Sequence, residues 1–246
     1  MLQRGVSFSI AAQCAWAPGV ETPDAWRAWA EAPFNIDGES EPSVRAMPPM
    51  LRRRAGFLGK MALEVAYQCL DGRTGVPTVF CSRHGDVLRA VNLLTELAQA
   101  APLSPTGFGL AVHNAHAGLF SIARADQADH LALAAGASTI EHGVIEACGL
   151  LAEGAPEVLL VVSDNCLPSL FEKFEDCAEQ PHAWACLMRL ADVESINLSW
   201  SLAPINSQIT RKSLPGSLTV LQFFLRKEKA LQRIADGRVW NWSHGI

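Results

Sequence analysis

The residues best placed to do chemistry lie in the stretch His130-Leu-Ala-Leu-Ala-Ala-Gly-Ala-Ser-Thr-Ile-Glu-His142. An apolar run enters Gly136 and further small residues, and a helical pattern begins at once. A strand-to-helix turn of this kind lifts a nucleophile above a sheet. Small neighbours permit the tight backbone, and the first helical N–H groups face an anion. Gly136-Ala137-Ser138-Thr139-Ile140 comes near the G-x-S-x-G form of such an elbow, with Ile140 in place of the last Gly. Asp164 follows an apolar run, and His182 or His244 comes later, so the Ser, Asp, His order of a serine hydrolase is available. In that reading Ser138 is the nucleophile, His182 the base and Asp164 the group that orients it. Against it, Ile140 crowds the turn and no HGGG-type oxyanion loop precedes the serine. A plainer reading stays open beside it: small residues let the helix pack on its strand.

Seven cysteines (Cys14, Cys69, Cys81, Cys148, Cys166, Cys177, Cys186) form no CxxC pair. An odd number, set mostly inside apolar runs, points to reduced thiols and a cytoplasmic protein. Cys166, Cys177, His182 and Cys186 could be grouped as zinc ligands, yet their spacing fits no structural zinc motif. No metal is expected, and no cofactor.

The elements that must position these residues follow from composition and pattern. Of 246 residues, 49% are hydrophobic and 18% charged, with a formal net charge of −5. A disordered chain would be less apolar, and a nucleic-acid binder would carry clustered Lys and Arg. Arg52-Arg53-Arg54 reads as a solvated helix start. No run reaches the ~18 apolar residues of a membrane span. Few charges beside a full apolar complement point to extra buried surface, and so to an oligomer.

Alternation in Val6-Ser7-Phe8-Ser9-Ile10 reads as a first strand rather than part of a leader peptide, because Ser7, Ser9 and Gln13 interrupt the apolar run. Helices are expected over Thr22–Trp29, Arg52–Leu70, from Asp86 to Ala98, within Phe108–Ile122, over Thr139–Ala152 and over Ser217–Ile234. Residues 31–50 read as a loop. Strands are expected at Val76–Cys81, His130–Ala135, Val158–Val162 and Trp184–Leu190. Strands alternating with helices indicate an α/β layered sheet.

Over a longer span, Ser104 to Asp164 resembles the N-terminal half of β-ketoacyl synthases, which have the thiolase fold. The matching residues are Ser104-Pro105, Val112-His113-Asn114-Ala115-His116-Ala117-Gly118, Ala134-Ala135-Gly136-Ala137-Ser138-Thr139, and Glu153-Gly154 through Val161. Leu51–Leu70 looks like the synthase helix before its second strand, and Ala185–Leu190 like the strand closing that half. The resemblance implies half of a thiolase-like fold, a layered central sheet with helices. It implies one β-ketoacyl synthase-like N-terminal domain over residues 1–246, with the C-terminal half of the synthase absent.

Aligned back from Gly154, Ala137 falls where the synthase has its cysteine. Alanine cannot form an acyl-enzyme, and none of the seven histidines sits in a motif like those of the synthase's second half. The resemblance therefore implies no catalytic residue. It points to a chain-length-factor-like subunit of the short kind found in aryl polyene biosynthesis. Its partner would be a full-length β-ketoacyl synthase, which condenses acyl groups on acyl carrier protein while this chain completes the heterodimer and shapes the acyl tunnel. By the same resemblance Phe108, Leu110, Ala111, His113, Asn114 and His116 are candidates to line the tunnel or the interface. A half-length fold also implies apolar faces left open for a partner.

Overall fold

Alternate residues of one apolar run show how the layers form. Val158, Leu160 and Val162 enter one core, while Leu159 and Val161 enter another. Successive side chains of a strand point to opposite faces, so this run must be covered on both sides. The computed structural model describes residues 4–204 and 213–245. Its elements are β1 (Arg4–Trp16), α1 (Pro23–Glu31), α2 (Pro49–Arg52), α3 (Phe57–Leu70), β2 (Thr78–Cys81), α4 (Val87–Ala98), α5 (Pro105–Gly109) and α6 (Ala115–Arg124). There follow β3 (His130–Leu133), α7 (Thr139–Ala152), β4 (Val158–Asp164), β5 (His182–Leu190), β6 (Ile196–Leu202), α8 (Gly216–Arg226), β7 (Ala230–Ala235) and β8 (Arg238–His244).

One eight-stranded sheet runs in the order β3-β2-β4-β5-β1-β6-β8-β7. The pairs β3/β2 and β2/β4 are parallel, and the others are antiparallel. Helix α3 packs under β1, β4 and β5, and α7 covers the opposite face of β2, β4 and β5. This is the mixed α/β layering expected from the sequence. The run read as a short first strand extends from Arg4 to Trp16 and lies inside the sheet between β5 and β6. Thr22 caps α1 as expected, its hydroxyl accepting from the Ala25 N–H, with Pro23 in the first turn.

Two expected helices are corrected. The single helix over Arg52–Leu70 is instead α2 and α3, separated at residues 53–56. Gly56 presses so close to Asp86 and Arg89 that a Cβ there would lie 2.9 Å from each, which fixes the break. The helix over Ser217–Ile234 ends at Arg226, where Lys227 turns left-handed at φ +50°, and the remainder forms β7. The tail adds β6 and β8, both built on alternating patterns, beyond the strands expected.

The sheet also curls. Strands β8 and β7 occupy its far edge, yet Arg233 and Trp242 bond to Glu141 in the first turn of α7. Trp26, Trp29, Phe223, Phe224, Trp240 and Trp242 fill the same core as α7. The outer apolar face of α7 is therefore covered by the chain's own α1, α8 and tail hairpin. Exposed apolar surface lies elsewhere. No residue of α4 is buried, and Leu88, Leu94 and Leu97 face outward. No helix among the described residues is long and apolar enough to cross a membrane.

Gly143 sets how closely α7 approaches β2: a Cβ there would lie 2.5 Å from Cys81 Sγ and 3.1 Å from Leu160 Cδ1. Gly143→Ala is expected to cost roughly 1–3 kcal/mol through overpacking, although alanine is the better helix former. Adding Cys81→Ala should recover most of the loss. Urea unfolding of the three chains measures both steps, and a stabilised Gly143→Ala chain would contradict this packing.

Candidate functional site

Strand β3 runs into a tight turn at Gly136–Ser138, and α7 starts on the next residue. Gly136 takes φ +57°, a conformation that favours glycine. Thr139 ties the turn: its hydroxyl donates to the Gly136 carbonyl at 2.7 Å and accepts from the Ala135 N–H at 3.0 Å. An elbow is present, and its middle residue is Ala137. The Ala137 methyl offers nothing that can attack a carbonyl.

The tail hairpin meets this turn. Asp236 and Gly237 adopt φ +48° and +70°, the left-handed pair of a two-residue hairpin. Asp236 Oδ2 accepts from the Ser138 N–H at 2.8 Å and from its hydroxyl at 2.6 Å. Arg233 pairs with the fully buried Glu141 and donates to the Ala137 carbonyl at 3.2 Å. His142 donates from Nδ1 to the Ser138 carbonyl at 2.9 Å and packs its ring on Trp240, which makes it a helix-packing residue. Neither Asp236 nor Arg233 was anticipated from the sequence. The Asp-Gly dipeptide between alternating strands does signal a hairpin, but its destination does not follow from local pattern.

The hydrolase residues do not form a relay. Ser138 is fully buried, and its hydroxyl is committed to Asp236 and to the Ala135 carbonyl. Both ring nitrogens of His182 are engaged, Nδ1 by the Gln180 carbonyl and Nε2 by the Ser217 hydroxyl at 2.7 Å. Neither is left to take a proton from Ser138. Asp164 and His182 face each other across β4 and β5. Burial pushes the Asp164 carboxyl above its ordinary range and the His182 imidazole below its own, with their mutual attraction opposing each shift.

The tunnel candidates run from Phe108 in α5, through the connection, to His116 in α6. Phe108 is 67% exposed, Asn114 is exposed and Ala111 is half-buried. Leu110 packs on the α3 core. His113 donates from Nε2 to the Ser82 carbonyl at 3.0 Å. His116 is buried, with its ring over Gly59 in α3. The segment thus divides into an outward group and residues that anchor it.

The family model for the beta-ketoacyl synthase N-terminal domain matches residues 26–243. The chain belongs to this family. A chain in the complex of the ketosynthase ApeO with its chain length factor ApeC from Xenorhabdus doucetiae is similar at TM-score 0.86 and 28% identity. The match covers 97% of this chain and 99% of that one. The ishigamide ketosynthase/chain length factor matches at TM-score 0.61 and 14% identity, over 80% of this chain and 67% of that one. AntDE:AntF, a type II polyketide synthase acyl-carrier protein in complex with its ketosynthase, matches at TM-score 0.68 and 10% identity, over 98% and 99%. At such low identity the last two matches establish the fold alone. No curated protein sequence matches the chain.

In this β-ketoacyl synthase N-terminal domain, the residues considered as zinc ligands do not converge. Cys186 lies in the core, and His182 is bonded as described. Asp176, Cys177 and Glu179 do bring ligand atoms within 4.8 Å of one another. The cation among them is Arg83, which pairs with Asp176, reaches Cys177 Sγ at 3.0 Å and lies 3.6 Å from Glu179. Burial pushes the Cys177 thiol up to about 12, so beside Arg83 it stands as a neutral thiol.

His116 makes the anchoring segment sensitive to acid. Burial lowers its imidazole to about 4; Asp86 opposes the shift, and Arg89 and His113 add to it. Below pH 6.5 the unfolded chain takes a proton that the folded chain refuses. Stability falls with pH through that window, and the loss is complete near pH 4. Wild type should lose up to about 1.4 kcal/mol per pH unit more than His116→Gln across it. Parallel stability–pH curves for the two chains would show that His116 does not carry the effect.

Proposed function

We propose that this chain is a non-catalytic, chain-length-factor-like partner of a β-ketoacyl-ACP synthase in polyketide-type elongation of the aryl polyene kind. The observation that carries this reading is an elbow of the family's form with a methyl group, at Ala137, in its middle position. Near-complete mutual coverage with a chain of the ApeO–ApeC complex supports a partner role. Residues 1–246 act as a single β-ketoacyl synthase-like N-terminal domain. The partner synthase supplies the nucleophile and condenses acyl groups delivered by acyl carrier protein. This chain completes the heterodimer and walls the acyl tunnel. Seven free thiols suit a cytoplasmic site for it.

The surface for the partner combines the edge strand β3 with the outward faces of α4 and α5. Leu94 and Leu97 share a face of α4, Leu88 is exposed near its start, and Leu103, Phe108 and Val112 are exposed near α5. Six exposed large apolar side chains grouped on neighbouring elements suit an interaction site. The purified chain is expected to show no acylation and no condensation alone, and to co-elute with a full-length synthase when both are expressed. Leu94→Glu, which puts a charge on the exposed stripe, should weaken that complex roughly tenfold or more, because a desolvated charge without a partner is costly. Condensation by the isolated chain would overturn the reading.

Ala111 tests the tunnel. Ala111→Phe adds a ring where the growing chain is proposed to pass, at an overpacking cost of typically ~1–3 kcal/mol. Late condensations should slow by roughly 10- to 100-fold, giving shorter products from an intact heterodimer. Unchanged product length from such a dimer removes Ala111 from the tunnel wall.

A further inference from the structure

Two of the seven thiols meet. Strand β1 turns Ala12, Cys14 and Trp16 toward α3, where they join the core built around that helix. Cys69 is the residue before the last of α3 and lies in the same core, with its Sγ 3.5 Å from the Ala12 carbonyl oxygen. Cys14 stands two residues further along the same face of β1, and the two thiols share a hydrogen bond. A disulfide forms between sulfurs that the backbone already brings together, and this pair meets that condition. The two thiols are unequal. Cys69 is 1% exposed, whereas Cys14 is only half-buried. Their shared bond holds the Cys14 thiol below its ordinary value, and the same bond, with burial, pushes Cys69 up. Burial pushes the other five thiols up as well. A more acidic, more accessible thiol with a second thiol beside it is the arrangement of a redox-active pair.

We propose that Cys14 and Cys69 are a peroxide-oxidisable pair, which closes to a disulfide that staples α3 to β1. The Cys14 sulfur attacks one oxygen of hydrogen peroxide, the O–O bond breaks, and the departing hydroxide takes the thiol proton to leave as water. Cys14 is then a sulfenic acid. The Cys69 sulfur attacks the Cys14 sulfur, the S–O bond breaks, and hydroxide leaves with the Cys69 proton as a second water. The two thiols lose two electrons and the peroxide gains them. A dithiol reductant reopens the pair by exchange and becomes a disulfide itself. In a cytosolic setting, disulfides are usually transient ones of this sort. The staple ties the middle of the sheet to α3, the helix on which Leu110 and His116 anchor the candidate tunnel segment.

Peptide mapping of the full wild-type chain, treated with hydrogen peroxide and then blocked at its free thiols, tests the pair. Trypsin leaves Cys14 in residues 5–27 and Cys69 in residues 61–73, each peptide holding a single cysteine. The two peptides should appear joined, two hydrogens lighter than their sum, and should separate again with dithiothreitol. Loss of free Cys14 should run roughly tenfold or more ahead of loss at the buried Cys81 and Cys186, whose thiols ionise less readily. In Cys69→Ala, dimedone should trap Cys14 as the sulfenic acid, whereas in Cys14→Ala the Cys69 thiol should stay reduced. Cys14 and Cys69 both free at a peroxide dose that oxidises the exposed Cys166 overturn the proposal. Either thiol joined to a different cysteine overturns it too. Both of those outcomes are read on the wild-type chain, so a variant that fails to fold leaves the test decisive. None of these readouts involves the synthase, so a failed heterodimer leaves the result standing.

Discussion

Glu141 carries a carboxylate into the core, at the first turn of a helix sandwiched between a sheet and its own tail. Desolvating such a charge without a partner is prohibitive, and removing one member of a buried pair typically costs about 3–5 kcal/mol. The partner, Arg233, lies 92 residues later. Much follows from that one pairing. The tail hairpin has to curl back over α7, and Gly216 has to stay small so that the guanidinium can pass. Trp242 can then donate to Glu141 and fill the space beside it. The tail is thus part of the core rather than an appendage to it.

The same pairing sets the chemistry of the elbow. A helix start leaves four N–H groups without intrahelical partners, and inside a protein water cannot satisfy them all. Once Arg233 is fixed against Glu141, the hairpin tip falls on the turn, and the Asp236 carboxylate meets the Ser138 N–H. A negative group at a helix N-terminus is favoured by the helix dipole as well. Structural demand and reactivity compete for one donor, and in this chain structure has it.

How much of this is legible in the sequence depends on distance along the chain. The limits of α7 and the doubly buried character of β4 follow from local apolar pattern, as does the Thr22–Pro23 cap. The elbow itself is legible from Gly136 and its small neighbours, and so is the absence of a nucleophile at Ala137. The helix end at Lys227 is not, because a left-handed residue other than glycine leaves no signal. The break at Gly56 depends on Asp86 and Arg89, about thirty residues on, and so is invisible to a helical-period argument. Ser138, Asp164 and His182 show the converse failure. Their order satisfies a motif, but the Ser138 hydroxyl, Asp164 Oδ1 and both His182 ring nitrogens have structural partners that order does not reveal.

Helix α4 shows what local pattern leaves undecided. Its apolar stripe is that of a helix meant to pack, since such a stripe has to be buried against another element. In this chain it packs on α5 more than on any other element, and Leu88, Leu94 and Leu97 remain exposed. The two halves of the surface have therefore gone opposite ways. Around the elbow the tail covers the apolar side of α7, and Asp236 accepts from the Ser138 N–H. Around α4, much of the apolar surface is left bare. Arg233 and Trp242 draw the tail onto α7 through Glu141, whereas the exposed leucines of α4 meet no such anchor among the described contacts and stay on the surface.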